Sequence, residues 1–158
     1  MRLAALVILI GCSSTSADAP PQPAAKPIVE TVANAQREAV ANAQREAVDA
    51  QVGEGKRLFA EQCASCHGDS LQGTDDAPAL VGKTALPLYP RAGSKRTAEF
   101  HTAADVLGFV AANMPADEAG TLTNEQYIAV LAFALRVNGT VLERPLDVDA
   151  AKSIALHP

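Results

Sequence analysis

The sequence has no tryptophan, and aromatic residues make up only 4% of its 158 positions. Although 48% of residues are apolar, so few large rings make only a modest core if side chains alone must fill it. Positive charge is also in short supply. The formal net charge is -5, becoming -6 if Arg2 is removed with an N-terminal leader, which argues against nucleic acid as a partner. Cysteine is limited to Cys12, Cys63 and Cys66. The first apolar run, Leu3 to Ile10, falls far short of the ~20 residues of a membrane-spanning helix. The length fits one small domain plus extensions.

Met1-Arg2 and the run to Ile10 form a one-charge secretory leader rather than a membrane anchor. The leader ends Leu9-Ile10-Gly11-Cys12, which resembles a bacterial lipobox, with Ile at the position where Ala or Ser is more usual. The resemblance implies cleavage after residue 11 and lipidation of Cys12. The alternative is ordinary signal cleavage nearby with Cys12 incidental. Several acyl chains would hold the protein stably on a membrane surface. Ser13 after the Cys favours outer-membrane sorting, by resemblance to enterobacterial lipoproteins.

Residues 13 to 27 are rich in Ser, Ala and Pro and cannot bury a core, so they read as an extended tether. An octapeptide then occurs twice in tandem, Val32-Ala-Asn-Ala-Gln-Arg-Glu-Ala39 and Val40-Ala-Asn-Ala-Gln-Arg-Glu-Ala47. Its Ala, Gln, Arg and Glu favour helix. A period of eight turns successive Val positions by about 80°, so no continuous seam forms and the segment reads as a helical spacer. Gly53 and Gly55 punctuate it before the compact part of the chain.

The stretch with the most chemistry is Cys63-Ala64-Ser65-Cys66-His67. Two thiols separated by two residues reach one edge of a porphyrin and can form thioethers, and the His directly after can bind the iron: a c-type haem attachment sequence. A zinc site needs four ligands, and Cys12 is accounted for elsewhere. A thioredoxin-like dithiol would follow a strand, whereas a helical segment precedes this pair. Lipid takes one cysteine and haem takes two, so no structural disulfide remains.

Gly55, Phe59 and Cys63 fall four residues apart, on one helix face. Together with the haem motif they resemble the class I cytochromes c, over about residues 51 to 158. In that family the Gly allows close approach of the first and last helices and the aromatic packs at their crossing, so Val130 and Phe133 are expected to meet Gly55 and Phe59. The resemblance also implies that Pro78 offers its carbonyl to the axial His67, setting its tautomer and ligand strength, and that Leu80 packs on the haem face.

Thr102 to Asp105 resembles a capping box and predicts a helix over about Ala103 to Ala112. Asn113-Met114-Pro115 follows. Met114 is the one methionine besides the initiator, on a loop between two helices, and matches the sixth-ligand position of the family; a soft thioether suits haem iron. Asn113 is expected either to bond the sulfur or to end the helix. Thr123 to Gln126 is a second capping box, predicting a final helix over Asn124 to Val137 that stops at Asn138-Gly139. Residues 140 to 158 wrap back with sparse apolar residues. His101 and His157 read as surface or capping residues, with His101 the rival to Met114.

Lys83 to Phe100 carries Pro87 and Pro90 and predicts irregular structure. Its cations Lys83, Arg91, Lys95 and Arg96 lie in a stretch free of Asp and Glu. They read as a solvated loop, with neutralised haem propionates or an acidic partner as the alternatives. Tyr89 either touches a propionate or caps the core.

These readings predict an all-α class I cytochrome c fold, with crossed N- and C-terminal helices around one haem c bound through Cys63 and Cys66. The expected domains are a signal peptide at 1-11, a tether at 12-50 and the cytochrome domain at 51-158. The expected role is a periplasmic, membrane-tethered electron carrier and not an enzyme. Its redox partners would be a periplasmic dehydrogenase and a respiratory acceptor such as a terminal oxidase. A haem sensor or weak peroxidase with a labile sixth position is the main alternative. A permanent subunit of a dehydrogenase complex differs from the carrier in partner rather than chemistry.

Overall fold

A computed structural model describes residues 28–157. The leader, the lipobox-like sequence with Cys12 and the Pro-rich part of the tether lie outside the described residues. Among these there are five helices: α1 (Ile28–Gln62), α2 (Ala64–His67), α3 (Ala103–Asn113), α4 (Asn124–Val137) and α5 (Val148–Ser153). The architecture is all-α, and the pairing of Thr102 with Ala155 is an isolated antiparallel bridge. No described helix is long and apolar enough to cross a membrane.

The octapeptide repeats form the first half of α1, a 35-residue helix that is roughly 50 Å long at 1.5 Å per residue. Three valines eight residues apart differ in burial: Val32 and Val40 are exposed, whereas Val48 is fully buried. Nearly every described residue of α1 before Val48 is exposed, so only the third valine lies on the part of the helix that the domain covers. The core therefore begins at Val48. The helix also runs on through Gly53 and Gly55, where the sequence suggested a break. Both glycines are tolerated because α4 and the neighbouring turns hold the helix, outweighing a propensity cost of about 1 kcal/mol each.

α1 makes its most extensive contact with α4. Gly55 is the point of closest approach, against the Ala129 backbone and the Phe133 Cβ. One turn on, the Phe59 and Phe133 rings pack with centroids 5.7 Å apart. Leu58, Phe59, Ala64, Leu71, Ala129, Val130, Phe133 and Ala134 form one buried cluster. A second, around Val48, Val106, Leu131 and Leu135, joins α1, α3 and α4 to the C-terminal segment.

The two capping boxes form as read. Asp105 accepts from the Thr102 backbone N–H at 2.7 Å and from the Thr102 hydroxyl at 3.0 Å. Gln126 and Thr123 exchange bonds of 2.8 and 3.3 Å. α4 is not the last helix. Asp147 caps α5 by accepting from the Ala150 N–H at 2.6 Å. The tail then lies across the start of α3, with Ala103 N–H donating to Ile154 and Leu156 N–H donating to His101, both at 3.0 Å. The Gln51 amide ties this tail to α1, exchanging two 2.8 Å bonds with the Leu146 backbone.

Candidate functional site

α1 delivers the chain to Cys63, whose N–H still bonds Phe59 at 2.9 Å, and α2 begins at once. The Cys66 and His67 N–H groups both return to the Cys63 carbonyl, at 3.2 and 2.9 Å, so the three functional side chains are displayed by a single turn. Cys63 is half-buried and Cys66 exposed, and no disulfide joins them. Burial, followed by repulsion from Cys66, pushes the Cys63 thiol up to about 11. A redox dithiol needs the opposite shift, toward thiolate at neutral pH.

His67 is buried, and its Nδ1 lies 2.8 Å from the Pro78 carbonyl. A carbonyl can only accept, so Nδ1 carries the proton and Nε2 keeps its lone pair for a metal. The loop that places Pro78 is folded back on α2. Gly73 N–H donates to His67 at 2.7 Å, Thr74 N–H to Ala77 at 2.9 Å, and the Thr74 hydroxyl to Cys66. The turn needs Gly68 at φ +79 and Gly73 at φ +80. A Cβ at Gly73 would lie 2.5 Å from the Ala79 nitrogen. Thr74 does not stand out in the sequence, since a Thr in a polar loop carries no pattern.

Leu80 packs partly buried against the Phe59 cluster, and its N–H bonds Leu71 at 2.7 Å. Its carbonyl accepts from Asn138 Nδ2 at 2.8 Å, while Gly82 N–H donates to Asn138 Oδ1 at 3.1 Å. The residue that closes α4 thus also holds the segment after Pro78. In the sequence Asn138 registers only as a helix stop.

Met114 terminates α3, half-buried. Its carbonyl accepts from the Tyr127 hydroxyl at 2.7 Å, and the same hydroxyl accepts from Gly120 N–H at 3.1 Å. Tyr127 on α4 therefore fixes both ends of the Met114 loop. Its place in an apolar stripe hides this, although a buried Tyr needs a partner for its hydroxyl. Asn113 Nδ2 donates to Phe109 at 2.8 Å and so finishes the helix. His101 is exposed beside Glu99, at 2.8 Å. The exposed His157 ring meets the Leu86 carbonyl at 3.0 Å.

The loop of residues 83–100 is not a uniformly solvated basic stretch. Arg96 is 7% exposed. Its Nη1 donates to Leu88 and Ala98 at 3.0 and 3.1 Å, its Nη2 to Pro87 at 2.8 Å and to Tyr89, and the guanidinium lies 3.8 Å from the Phe100 ring centroid. One buried cation organises a segment that lacks regular structure. Tyr89 does not cap the core, since it is 65% exposed.

The residues present fit a haem c: two cysteines separated by two residues, a buried imidazole with Nε2 available, and apolar side chains gathered beside them. Comparisons with known proteins agree. Residues 50–133 match the family model described as cytochrome c oxidase, cbb3-type, subunit III. A thiosulfate dehydrogenase from Stutzerimonas stutzeri is 32% identical over 82 residues, covering 52% of this chain and 26% of that protein. A thiosulfate dehydrogenase from Psychrobacter arcticus is 32% identical over 104 residues, covering 62% and 28%. The chain thus spans little more than a quarter of these curated relatives. The crystal structure of the sulfane dehydrogenase SoxCD from Paracoccus pantotrophus superposes with a TM-score of 0.52 at 33% identity, covering 66% of this chain and 52% of that one. With more than half of its length matched, the chain belongs to the cbb3-type subunit III family of cytochrome c domains, a c-type electron-transfer cytochrome that carries one haem c covalently through Cys63 and Cys66.

Proposed function

We propose that the chain is a single-electron carrier, held on the periplasmic side of a bacterial membrane by lipid on Cys12, in which His67 and Met114 would hold the iron of the haem. The observation that carries this reading is the 2.8 Å contact of His67 Nδ1 with the Pro78 carbonyl, which frees Nε2 for a metal and fixes the ring. Haem c would supply a one-electron ferric/ferrous couple, whose potential a thioether ligand such as Met114 would raise. Pro78 orients the imidazole, and Leu80 covers the apolar face. Tyr127 holds the Met114 backbone so that the thioether has a defined position. With both residues holding the iron, the chain's own bonds would stay unchanged as an electron arrives or leaves.

The proposed division of the chain is a leader at 1-11, a tether that the sequence places at 12-50 and the cytochrome domain at 51-158, with the last turn of the tether, from Val48, packed into the domain core. The tether confines the carrier near its partners and raises their effective concentration. The proposed donor is a dehydrogenase acting on a sulfur compound, the chemistry in the names of the relatives, and the acceptor is a respiratory oxidase. The outer membrane is favoured by Ser13.

Carriage rather than catalysis is the role assigned to this chain. A redox titration of the matured holoprotein tests it, together with incubation of the ferric form with thiosulfate alone. A single one-electron curve and no reduction by thiosulfate within the time of a respiratory turnover support the carrier. Rapid reduction by thiosulfate, with formation of an oxidised sulfur product, would make this chain a catalyst in its own right.

A further inference from the structure

The stretch from Ala77 to Ala98 contains four cations and no carboxylate in a chain of net charge -5, so all of the excess negative charge lies elsewhere. The four cations do different work. Arg96 is spent internally on four carbonyls. Half-buried Arg91 donates to the Thr84 carbonyl, which folds it back beside Lys83. Lys83 and Lys95 are exposed. Among the described residues none of Lys83, Arg91 and Lys95 enters an ion pair.

Within this stretch stands Tyr89, 65% exposed between two prolines. The carbonyls of Pro87, Leu88 and Tyr89 itself are all held by the Arg96 guanidinium. An exposed ring on a loose loop loses much of its contact energy to ordering. Here the backbone is already fixed, so contact with a partner costs little further entropy. A rigid Tyr among cations has the composition of an interface hot spot.

We propose that the face formed by Lys83, Tyr89, Arg91 and Lys95 is a docking surface for an acidic protein. This deepens the carrier reading and rests on it for the partner's role, that of a redox protein. An acidic partner is repelled by the net negative remainder of the molecule and attracted by this carboxylate-free stretch, so the field orients the encounter as well as drawing the two together. The buried Arg96 is the positioning residue behind it. An anionic membrane fits less well: lipid recognition uses clusters of about four to eight surface cations, and the body carrying this face is itself negative.

The test uses the mature holoprotein with poly-L-glutamate as the acidic polypeptide, at low and at physiological ionic strength. Lys83→Glu with Lys95→Glu is the informative pair, since neither side chain makes a hydrogen bond among the described residues and the fold is kept. Arg37→Glu with Arg45→Glu on the exposed part of α1 makes the same change in net charge. The lysine pair is expected to weaken binding about tenfold at low salt and to flatten its salt dependence, whereas the α1 pair changes it by less than about threefold. Tyr89→Ala is expected to weaken binding while leaving the salt dependence and the reduction potential unchanged.

Equal effects of the two pairs, or no effect of the lysine pair, would overturn the proposal. So would capture by phosphatidylglycerol vesicles in place of the polypeptide, or a shift of potential in Tyr89→Ala, which would set the ring against the haem. The spectrum of the same samples with carbon monoxide separates the two levels of inference. Gas binding by the native ferrous protein defeats the carrier, whereas lost docking with an unchanged spectrum concerns this surface alone.

Discussion

Gly55 of α1 lies directly against the backbone carbonyl of Ala129 in α4, leaving no room for a Cβ between them. Gly53, two residues earlier on the same helix, has nothing within 4 Å of a Cβ built at its position. The two glycines therefore make opposite predictions. Gly53→Ala should stabilise the holoprotein by about 0.5–1 kcal/mol, through propensity alone. Gly55→Ala should lose about 2–4 kcal/mol, because the obstacle is backbone and cannot rotate away. Paired denaturant titrations decide it, and a stabilised Gly55→Ala would refute the close approach.

Arg96→Met should cost about 2–3 kcal/mol, since it leaves the Pro87, Tyr89 and Ala98 carbonyls without their donor, takes one of two donors from Leu88 and removes the cation from the Phe100 ring. Hydrogen exchange should rise at Phe100, whose N–H bonds Leu88 at 3.0 Å, before it rises in α4. Uniform acceleration throughout the domain would show that Arg96 does not act locally.

Tyr127→Phe removes a single oxygen that serves both Met114 and Gly120. A loss of about 1–2 kcal/mol is expected, with faster binding of external ligands such as imidazole to the ferric protein as the Met114 loop loosens. Unchanged ligand kinetics would separate the tyrosine from the loop's stiffness.

Helix capping contributes to the response to acid. Backbone hydrogen bonding from Thr102 lowers Asp105, and backbone hydrogen bonding from Ala150 lowers Asp147, below the ordinary value of 3.8. Groups with a lowered folded pKa stabilise the protein above the unfolded value and lose that contribution as pH falls through the folded one. Stability should thus be level above about pH 5 and decline below about pH 4. Asp105→Asn should lower the plateau and flatten that decline, as thermal unfolding against pH would show. A decline of the same steepness in the variant would assign the acid transition to other groups.

The parts legible in the sequence were those governed by local rules. The helices beginning at Ala103 and Asn124 were marked by side chains reaching three residues along the chain, and the haem attachment by a spacing that covalent chemistry imposes. The eight-residue period showed that Val32, Val40 and Val48 do not share a face. It could not show that Val48 is the one that reaches the core, because that depends on where α4 lies. The continuity of α1 through Gly53 and Gly55 was likewise hidden, since tertiary packing overrides propensity. Arg96, Asn138 and Tyr127 act on backbone carbonyls or N–H groups distant in sequence or outside regular structure, and such bonds leave no periodic trace. α5 is a six-residue helix in a segment with few apolar residues, too short for any pattern to build up.

The most direct test of the account is the optical spectrum of the mature holoprotein in its ferric and ferrous forms, with and without carbon monoxide, beside that of Met114→Ala. The account predicts a far-red ferric band that disappears in the variant, and a native ferrous spectrum unchanged by the gas. Ready binding of carbon monoxide by the native protein, or a ferric band that survives the loss of Met114, would contradict it and make the domain a sensing or catalytic haem protein.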